Sequence, residues 1–329
     1  MKKTFVIAGV AVLLAGMSSC NKQKEGVFNP KQKISVVYEQ SSSSWERYDE
    51  ETWTWTETDY DDTRMHKSEE WTWDGKQLQQ IKGYTDEGAL SYTKTFTYEK
   101  KKLTRVDYVY AEDGSNAYAI FEYDGKLLTK SSLYGDGLLW ATCDYTHTDK
   151  KITNIAFTYY DYDKGSSAIN AAKQLAILRM TLPQGQIFKN LISVQEAKVK
   201  SGKEIEGIQR INLTWTGNNI TSVAATYDGG TGVSTNSFTY DTKKNPYYWY
   251  MDEESVFADE GIALMGLNEN NILTARYWYD NEGDGKVSRT YTYTYDNNDY
   301  PVVCTYISKH SYDNYRSTYT TSTTYEYVK

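Results

Sequence analysis

The stretch Phe121-Glu122-Tyr123-Asp124-Gly125-Lys126-Leu127-Leu128 decides the fold, because its pattern recurs. The pattern is an aromatic, any residue, an aromatic, a short polar turn, and then Leu or Ile. Upstream it reads Trp71-Thr72-Trp73-Asp74-Gly75-Lys76 and Phe96-Thr97-Tyr98-Glu99-Lys100-Lys101. Downstream it returns as Tyr145-Thr146-His147, Leu213-Thr214-Trp215, Phe238-Thr239-Tyr240-Asp241 and Tyr293-Thr294-Tyr295-Asp296. The second ring steps from 73 to 98, 123 and 147, and again from 215 to 240, intervals of 25, 25, 24 and 25. A fixed period of this size marks an array of one supersecondary unit.

Within a unit the residues alternate. Tyr92, Lys94, Phe96 and Tyr98 share one face, with Ser91, Thr93, Thr95 and Thr97 on the other; Tyr291, Tyr293 and Tyr295 oppose Thr290, Thr292 and Thr294. A period of two is the mark of a strand. One packed aromatic face and one wet hydroxyl face suit an antiparallel sheet. Composition agrees: 32 of 329 residues are Tyr and only 4 are Pro, and Tyr and Thr favour pleated, half-buried surfaces.

Each unit therefore holds two strands and two turns, a β-meander. The turns after the paired rings contain lysine, as in Asp149-Lys150-Lys151 and Asp241-Thr242-Lys243-Lys244. Half a period later they are acidic or glycine-rich: Asp86-Glu87-Gly88, Glu112-Asp113-Gly114, Gly135-Asp136-Gly137 and Asp228-Gly229-Gly230. Alternate turns of a meander lie at opposite ends, so one lysine-bearing rim and one acidic rim are expected. The run Asp59-Tyr60-Asp61-Asp62 reads as the first hairpin turn, which would oppose Trp53 to Trp73 and Trp55 to Trp71.

Two segments break the period. Ile169, Ala172, Leu175, Ala176 and Ile177 have helical spacing within 166–180, and Val256, Phe257, Ile262, Ala263 and Leu264 have it within 252–267. The expected fold is all-β. It is an antiparallel meander of a dozen or more strands forming a soluble barrel or strongly curled sheet, with two inserted helices covering the aromatic face or filling a lumen. It is one domain, spanning 34–329.

Residues 1–19 read as a targeting segment rather than structure. Lys2 and Lys3 precede a short apolar run from Phe5 to Leu14, and Gly16-Met17-Ser18-Ser19-Cys20 resembles the lipobox of bacterial lipoproteins. Cleavage before Cys20 would expose it to lipidation, and several acyl chains on one residue hold a protein stably on a bilayer. Residues 20–33 then read as a lipidated tether. Asn21 in place of Asp resembles lipoproteins sorted to the outer membrane; the periplasmic and extracellular faces both stay open.

Removal of Lys2 and Lys3 would shift the formal charge from −8 to −10. So acidic a chain is repelled by a phosphate backbone, and no nucleic-acid partner is expected. Beyond Cys20 the cysteines are Cys143 and Cys304, both in strand-like runs, read either as a disulfide or as two buried thiols.

Candidate sites are few. The histidines are His66, His147 and His310, no two at a metal-ligand spacing, and His147 occupies the second ring position of its repeat. The run Asp280-Asn281-Glu282-Gly283-Asp284-Gly285 opens like a calcium loop, making Asp280, Glu282 and Asp284 the one weak metal candidate. Its twelfth position is Tyr291 rather than Glu, and a plain hairpin turn is the simpler reading. Trp45, Trp53, Trp55, Trp71 and Trp73 cluster in sequence and form the candidate aromatic platform for a glycan or a protein. The plainer alternative is that the rings build the sheet face. No catalytic residue and no cofactor is marked out.

Phe121–Leu128 and Tyr293-Thr294-Tyr295-Asp296-Asn297-Asn298-Asp299-Tyr300-Pro301 resemble the YD repeats of bacterial surface and toxin-shell proteins. The lipobox followed by tyrosine-rich units from Ile34 to Lys329 looks closer still to a Bacteroides-group lipoprotein family of porin-like fold. That resemblance implies a β-barrel and no activity. The Thr and Ser of the second face do not make the apolar band of a membrane-spanning barrel. The expected role is a lipid-anchored, non-enzymatic envelope protein that binds a ligand, a glycan or an envelope protein. A purely structural or adhesive scaffold is the alternative, and a glycoside hydrolase is less favoured.

Overall fold

The computed structural model describes residues 25–49, 54–135, 137–159, 208–227, 233–251, 265–279, 286–312 and 315–329. Seventeen strands make one antiparallel sheet. They are β1 (Ile34–Asp49), β2 (Thr54–Asp62), β3 (His66–Asp74), β4 (Gln77–Tyr84), β5 (Leu90–Glu99), β6 (Lys102–Tyr110), β7 (Asn116–Asp124), β8 (Leu127–Gly135) and β9 (Leu138–Thr148). There follow β10 (Lys151–Tyr159), β11 (Ile208–Thr216), β12 (Asn219–Tyr227), β13 (Val233–Tyr240), β14 (Ile272–Tyr279), β15 (Lys286–Tyr295), β16 (Pro301–Tyr312) and β17 (Tyr315–Tyr327).

From β3 to β17 each strand pairs with the next in sequence, and β17 returns to β1 along nearly its whole length, from Ile34↔Tyr327 to Arg47↔Tyr315. The sheet is therefore a closed barrel. Two strands share one place in the ring: β1 pairs through Ser42–Asp49 with β2 and through Val36–Glu39 with β3. Between them the Thr63 amide donates to the Ser41 carbonyl at 2.8 Å, so β2 and β3 are one long strand with a local break. Seventeen strands thus fill sixteen positions.

This corrects the register expected for the first hairpin. The chain reverses between Asp49 and Thr54, and 59–62 lie within β2 rather than in a turn. Trp55 faces Tyr48, while Trp71 and Trp73 face Ile81 and Leu78; residue 53 lies outside the described residues. The inserted helices are not borne out. Among the described residues the one helical turn is the 3-10 turn Met265–Leu267, whereas 166–180 and 252–264 lie outside them.

The repeated motif ends β3, β5, β7, β9, β11, β13 and β15, all at one end of the barrel. Its first ring points inward: Trp71, Phe96, Phe121, Leu213 and Phe238 are at most 6% exposed. Burying each such side chain contributes about 1.5–3 kcal/mol. The middle residue points outward, and Thr72, Thr97, Glu122, Thr146, Thr214, Thr239 and Thr294 are exposed. The wall is thus aromatic inside and hydroxylated outside. The described turns of the two classes fall at opposite ends, as expected, although the motif end carries Asp74, Asp124 and Asp149 among its lysines; residues 136 and 228–230 lie outside the described residues.

The second ring sits at a β-bulge in each repeat. Tyr98 faces Leu103 and Thr97 faces Arg105, so Thr104 is the extra residue. Thr129, Thr153 and Thr221 are skipped in the same way. A bulge leaves ladder groups unpaired, and buried backbone groups must find partners. The bulged threonines help directly: Thr104, Thr129, Thr153 and Thr221 hydroxyls donate to the carbonyls of Thr97, Glu122, Thr146 and Thr214 at 3.2–3.4 Å.

The residue before the bulge is satisfied from inside by a ring of the neighbouring repeat. Trp73 Nε1 donates to the Ile34 carbonyl at 2.7 Å, Tyr123 to Leu103 at 2.8 Å and Trp215 Nε1 to Ile152 at 2.6 Å. Tyr240 donates likewise to Ile220, and Tyr327 to Pro301 at 2.6 Å. Tyr293, a first ring, serves Ile272 at 2.9 Å. A lysine then ties adjacent turns. Lys102 lies 4.2 Å from the Tyr123 ring centroid and donates to the Gly125 carbonyl at 2.5 Å. Lys33 and Lys151 do the same over Trp73 and Trp215 to Gly75 and Gly217.

Candidate functional site

The motif end is closed by two segments that enter it. Residues 25–33, read from sequence as tether, are packed into this mouth. Gly26 accepts the Leu103 amide at 3.0 Å, and Phe28, 4% exposed, lies 5.6 Å from Trp73 and 5.4 Å from Tyr250 between ring centroids. Tyr250 comes from the connection between β13 and β14 and also packs on Trp71 and Phe96, at 5.3 and 6.1 Å. Tyr247 beside it meets Tyr325 at 6.1 Å. An irregular aromatic segment therefore provides the cover expected of helices.

Glu25 is the anchor of the inbound segment. Its carboxylate accepts the Leu128 amide at 2.5 Å and lies 3.1 Å from His147 Nε2. Burial raises its pKa, opposed by the Leu128 hydrogen bond and by His147. His147 is thus a packed ring, as expected, whose polar edge is met by a side chain instead of a carbonyl. Asn268 plays the matching part at β12, where its Oδ1 accepts the Ile220 amide at 2.7 Å.

About half way along the strands the lumen turns polar. Glu69 accepts Trp71 Nε1 and the Tyr92 hydroxyl, each at 2.7 Å. Lys94, 4% exposed, lies 5.4 and 5.5 Å from the Tyr92 and Tyr108 ring centroids. Burial, and then the charge of Glu69, push the Glu39 carboxyl up to about 7. Arg289 is 1% exposed and its charge reaches Tyr291, Tyr306 and His310. Burial, helped by Arg289, pulls His310 down to about 4, and its Nε2 lies 3.0 Å from Ser308 Oγ. Burial raises Tyr92 and Tyr306, so these hydroxyls stay protonated, and Tyr92 donates to Glu69. The layer can hold a polar group among neutral phenols.

The four described tryptophans of the candidate platform divide between the two ends of the barrel, and residue 53 lies outside the described residues. Trp71 is 5% exposed and Trp73 packs against it inside the mouth, so neither offers a free face. Trp45 lies at the other end, where its Nε1 donates to Tyr319 at 2.6 Å. Trp55 is also there, half-buried, 5.3 Å from Tyr48 and with the Arg316 guanidinium 4.0 Å from its ring centroid. The sequence positions of Glu25, Glu39, Glu69, Lys94 and Arg289 gave no functional signal; only the alternation that turns Lys94 and Arg289 inward could have found them.

Among the described residues no three His, Cys, Asp or Glu side chains group as a metal site. The calcium-loop candidate, Asp280, Glu282 and Asp284, lies outside them. Cys143 and Cys304 are buried free thiols, not a disulfide, and Cys20 lies outside the described residues.

No known family and no curated protein matches the sequence. Among solved structures, the chain is similar to a porin-like protein from Bacteroides uniformis. Identity is 14%, coverage is 92% of this chain and 100% of the other, and the TM-score is 0.46. It is similar also to a porin-like protein from Bacteroides vulgatus, at 9% identity over 90% and 99% of the two chains with a TM-score of 0.31. OprB of Pseudomonas putida follows at 5% identity, 88% and 92% coverage and a TM-score of 0.26.

Proposed function

We propose that the chain is a lipid-anchored protein of the outer membrane that acts as a non-enzymatic binding module. Its ligand-facing surface is the far end of the barrel. The observation that carries this reading is the placement of the packed segment Glu25–Lys33 at the motif end. An anchor at Cys20 would hold that end to the bilayer and leave the opposite end free. At that opposite end β1, β16 and β17 are the longest strands that meet, and Tyr48, Trp55 and Arg316 stack on their outer face. An aromatic ring with a cation beside it suits a sugar or a partner's side chains. The lipobox and the tyrosine-rich repeats, which resemble the YD repeats and the Bacteroides-group lipoproteins, support the same assignment. The hydroxylated outer wall and the aromatic interior, the reverse of a membrane-spanning barrel, support a body held on the membrane rather than in it.

The test is a glycan and envelope-protein array probed with the parent chain and with Trp55→Ala. Binding that the substitution weakens at least tenfold supports the module. Absence of binding by the parent at every concentration favours the scaffold reading. That second reading has its own support, since Trp73, Tyr123, Trp215, Tyr240 and Tyr293 spend their polar tips on wall carbonyls.

A further inference from the structure

A cavity of about 960 Å³ opens at the motif end, between the inbound segment and the turns that follow β5 and β7. Lys31, Lys100, Lys101, Lys102 and Lys126 line it, against Glu99 and Glu122. Cations therefore exceed anions by three in a protein whose formal charge is −8. Lys102 is committed to Gly125 and the Tyr123 ring. Among the described residues, Lys31, Lys100, Lys101 and Lys126 make no ion pair.

The backbone points the same way. Lys100 and Lys101 have φ of 48° and 74°, a conformation that disfavours side chains. At the first of these positions the turns after β3, β7 and β11 use Gly75, Gly125 and Gly217, while the turn after β9 carries Asp149 and Lys150 at φ of 51° and 66°. Lys100 thus stands where three of these turns carry glycine.

The inbound segment fixes where the cavity faces. Glu25 is held inside the mouth, five residue steps from Cys20. A fully extended chain of that length spans no more than about 18 Å. If Cys20 is acylated, this end of the barrel lies against the headgroups. Two turns of the opposite end, Asp86-Glu87 and Glu112-Asp113, carry acids and no lysine.

We propose that this cavity is a phosphate-anion site filled by headgroups of the anionic lipid surface that carries the protein. The source of the phosphate rests on the anchor reading; the site itself does not. The test uses the chain from Asn21, which keeps every described residue and lacks the acyl group. It is sedimented with vesicles of phosphatidylcholine alone and of phosphatidylcholine with phosphatidylglycerol.

The expected result is binding to the anionic vesicles only. Lysines beside an anionic surface contribute about fivefold each, so replacing three of them should weaken partitioning roughly a hundredfold. The variant is Lys100→Asn, Lys101→Gly and Lys126→Gln, and Asn-Gly is the preferred pair for such a turn, so the hairpin stays folded. Glu112→Gln at the far end should change nothing. Equal binding to both vesicles, or indifference to the triple variant, overturns the site. Tight lysine-dependent uptake of inorganic phosphate with no vesicle binding overturns the lipid source. Mass spectrometry of the native protein separates the two claims, because an unacylated Cys20 with lysine-dependent vesicle binding refutes the anchor and supports the site.

Discussion

Gly26→Ala should release the inbound segment from the mouth without unfolding the barrel. Gly26 has φ +72°, and a Cβ built there would lie 2.6 Å from Tyr123 Cε1 and closer still to its hydroxyl. The left-handed conformation alone costs about 1–2 kcal/mol for an L-residue. The overlap cannot be relieved by turning Tyr123, because its hydroxyl is hydrogen-bonded to the Leu103 carbonyl and Lys102 covers its ring. If the segment leaves, the Leu103 and Leu128 amides lose their acceptors, each a loss of about 1–3 kcal/mol in a buried setting. Those two bonds and the burial of Phe28, about 1.5–3 kcal/mol, together hold the segment in by about 3.5–9 kcal/mol; the left-handed cost alone does not outweigh them, so release rests on the overlap of the added Cβ with the fixed Tyr123 ring. Hydrogen exchange should then show lost protection at Leu103 and Leu128, with the β11–β12 ladder unchanged. Tryptophan fluorescence should shift as Phe28 leaves Trp71 and Trp73. Gly75→Ala is the control: its φ is +53° but nothing lies within 4 Å of the added atom. Full protection at Leu103 and Leu128 in Gly26→Ala would refute the packing argument.

His310 and Glu39 make opposite demands on pH. With His310 held at about 4 and an ordinary value of 6.5, its contribution is complete above about 6.5 and is lost as pH falls through 6.5 toward 4, on the order of 3 kcal/mol. With Glu39 raised to about 7 from 4.5, its contribution is complete below about 4.5 and is lost as pH rises toward 7. The parent should therefore show a flat urea midpoint between these values. Glu39→Gln should raise stability at pH 7 by about 2–3 kcal/mol and expose the acid slope, and a still-flat profile in that variant would contradict the assignment. Trp215→Phe keeps the ring but removes the donor to Ile152, and should cost about 1–3 kcal/mol in urea unfolding. Burial pushes the Cys304 thiol up to about 12, so Cys143 and Cys304 should resist thiol reagents until the barrel unfolds; native-state labelling at the rate of free cysteine would oppose this.

The sequence made the repeat legible because one motif solves one local problem each time. Phe121 and Tyr123 alternate with Glu122, and the following Leu-Thr pair supplies both the carbonyl and the bulge. The Leu-Thr and Ile-Thr pairs at 103–104, 128–129, 152–153 and 220–221 were visible, but their meaning depends on strand pairing. The first hairpin misled because Asp59, Asp61 and Asp62 favour turns only weakly, and pairing with β1 overrides that preference. Glu25 was opaque for another reason: it acts on Leu128, 103 residues away, and no local pattern encodes such a contact. Of the candidate platform the four described tryptophans divide between the two ends, because nearness in sequence became distance along long strands, with Trp71 at one end and Trp45 at the other.

The seam between β1 and β17 joins the first described strand to the last. A ribosome must release Tyr327 before Ile34 can find its partner, so during synthesis the growing sheet carries two raw margins. Any shortened product that lacks β17 keeps them, and would recruit a neighbouring molecule's margin into its own gap. Closure of the barrel therefore hinges on the 13 residues of β17 rather than on the repeats that make up most of its mass.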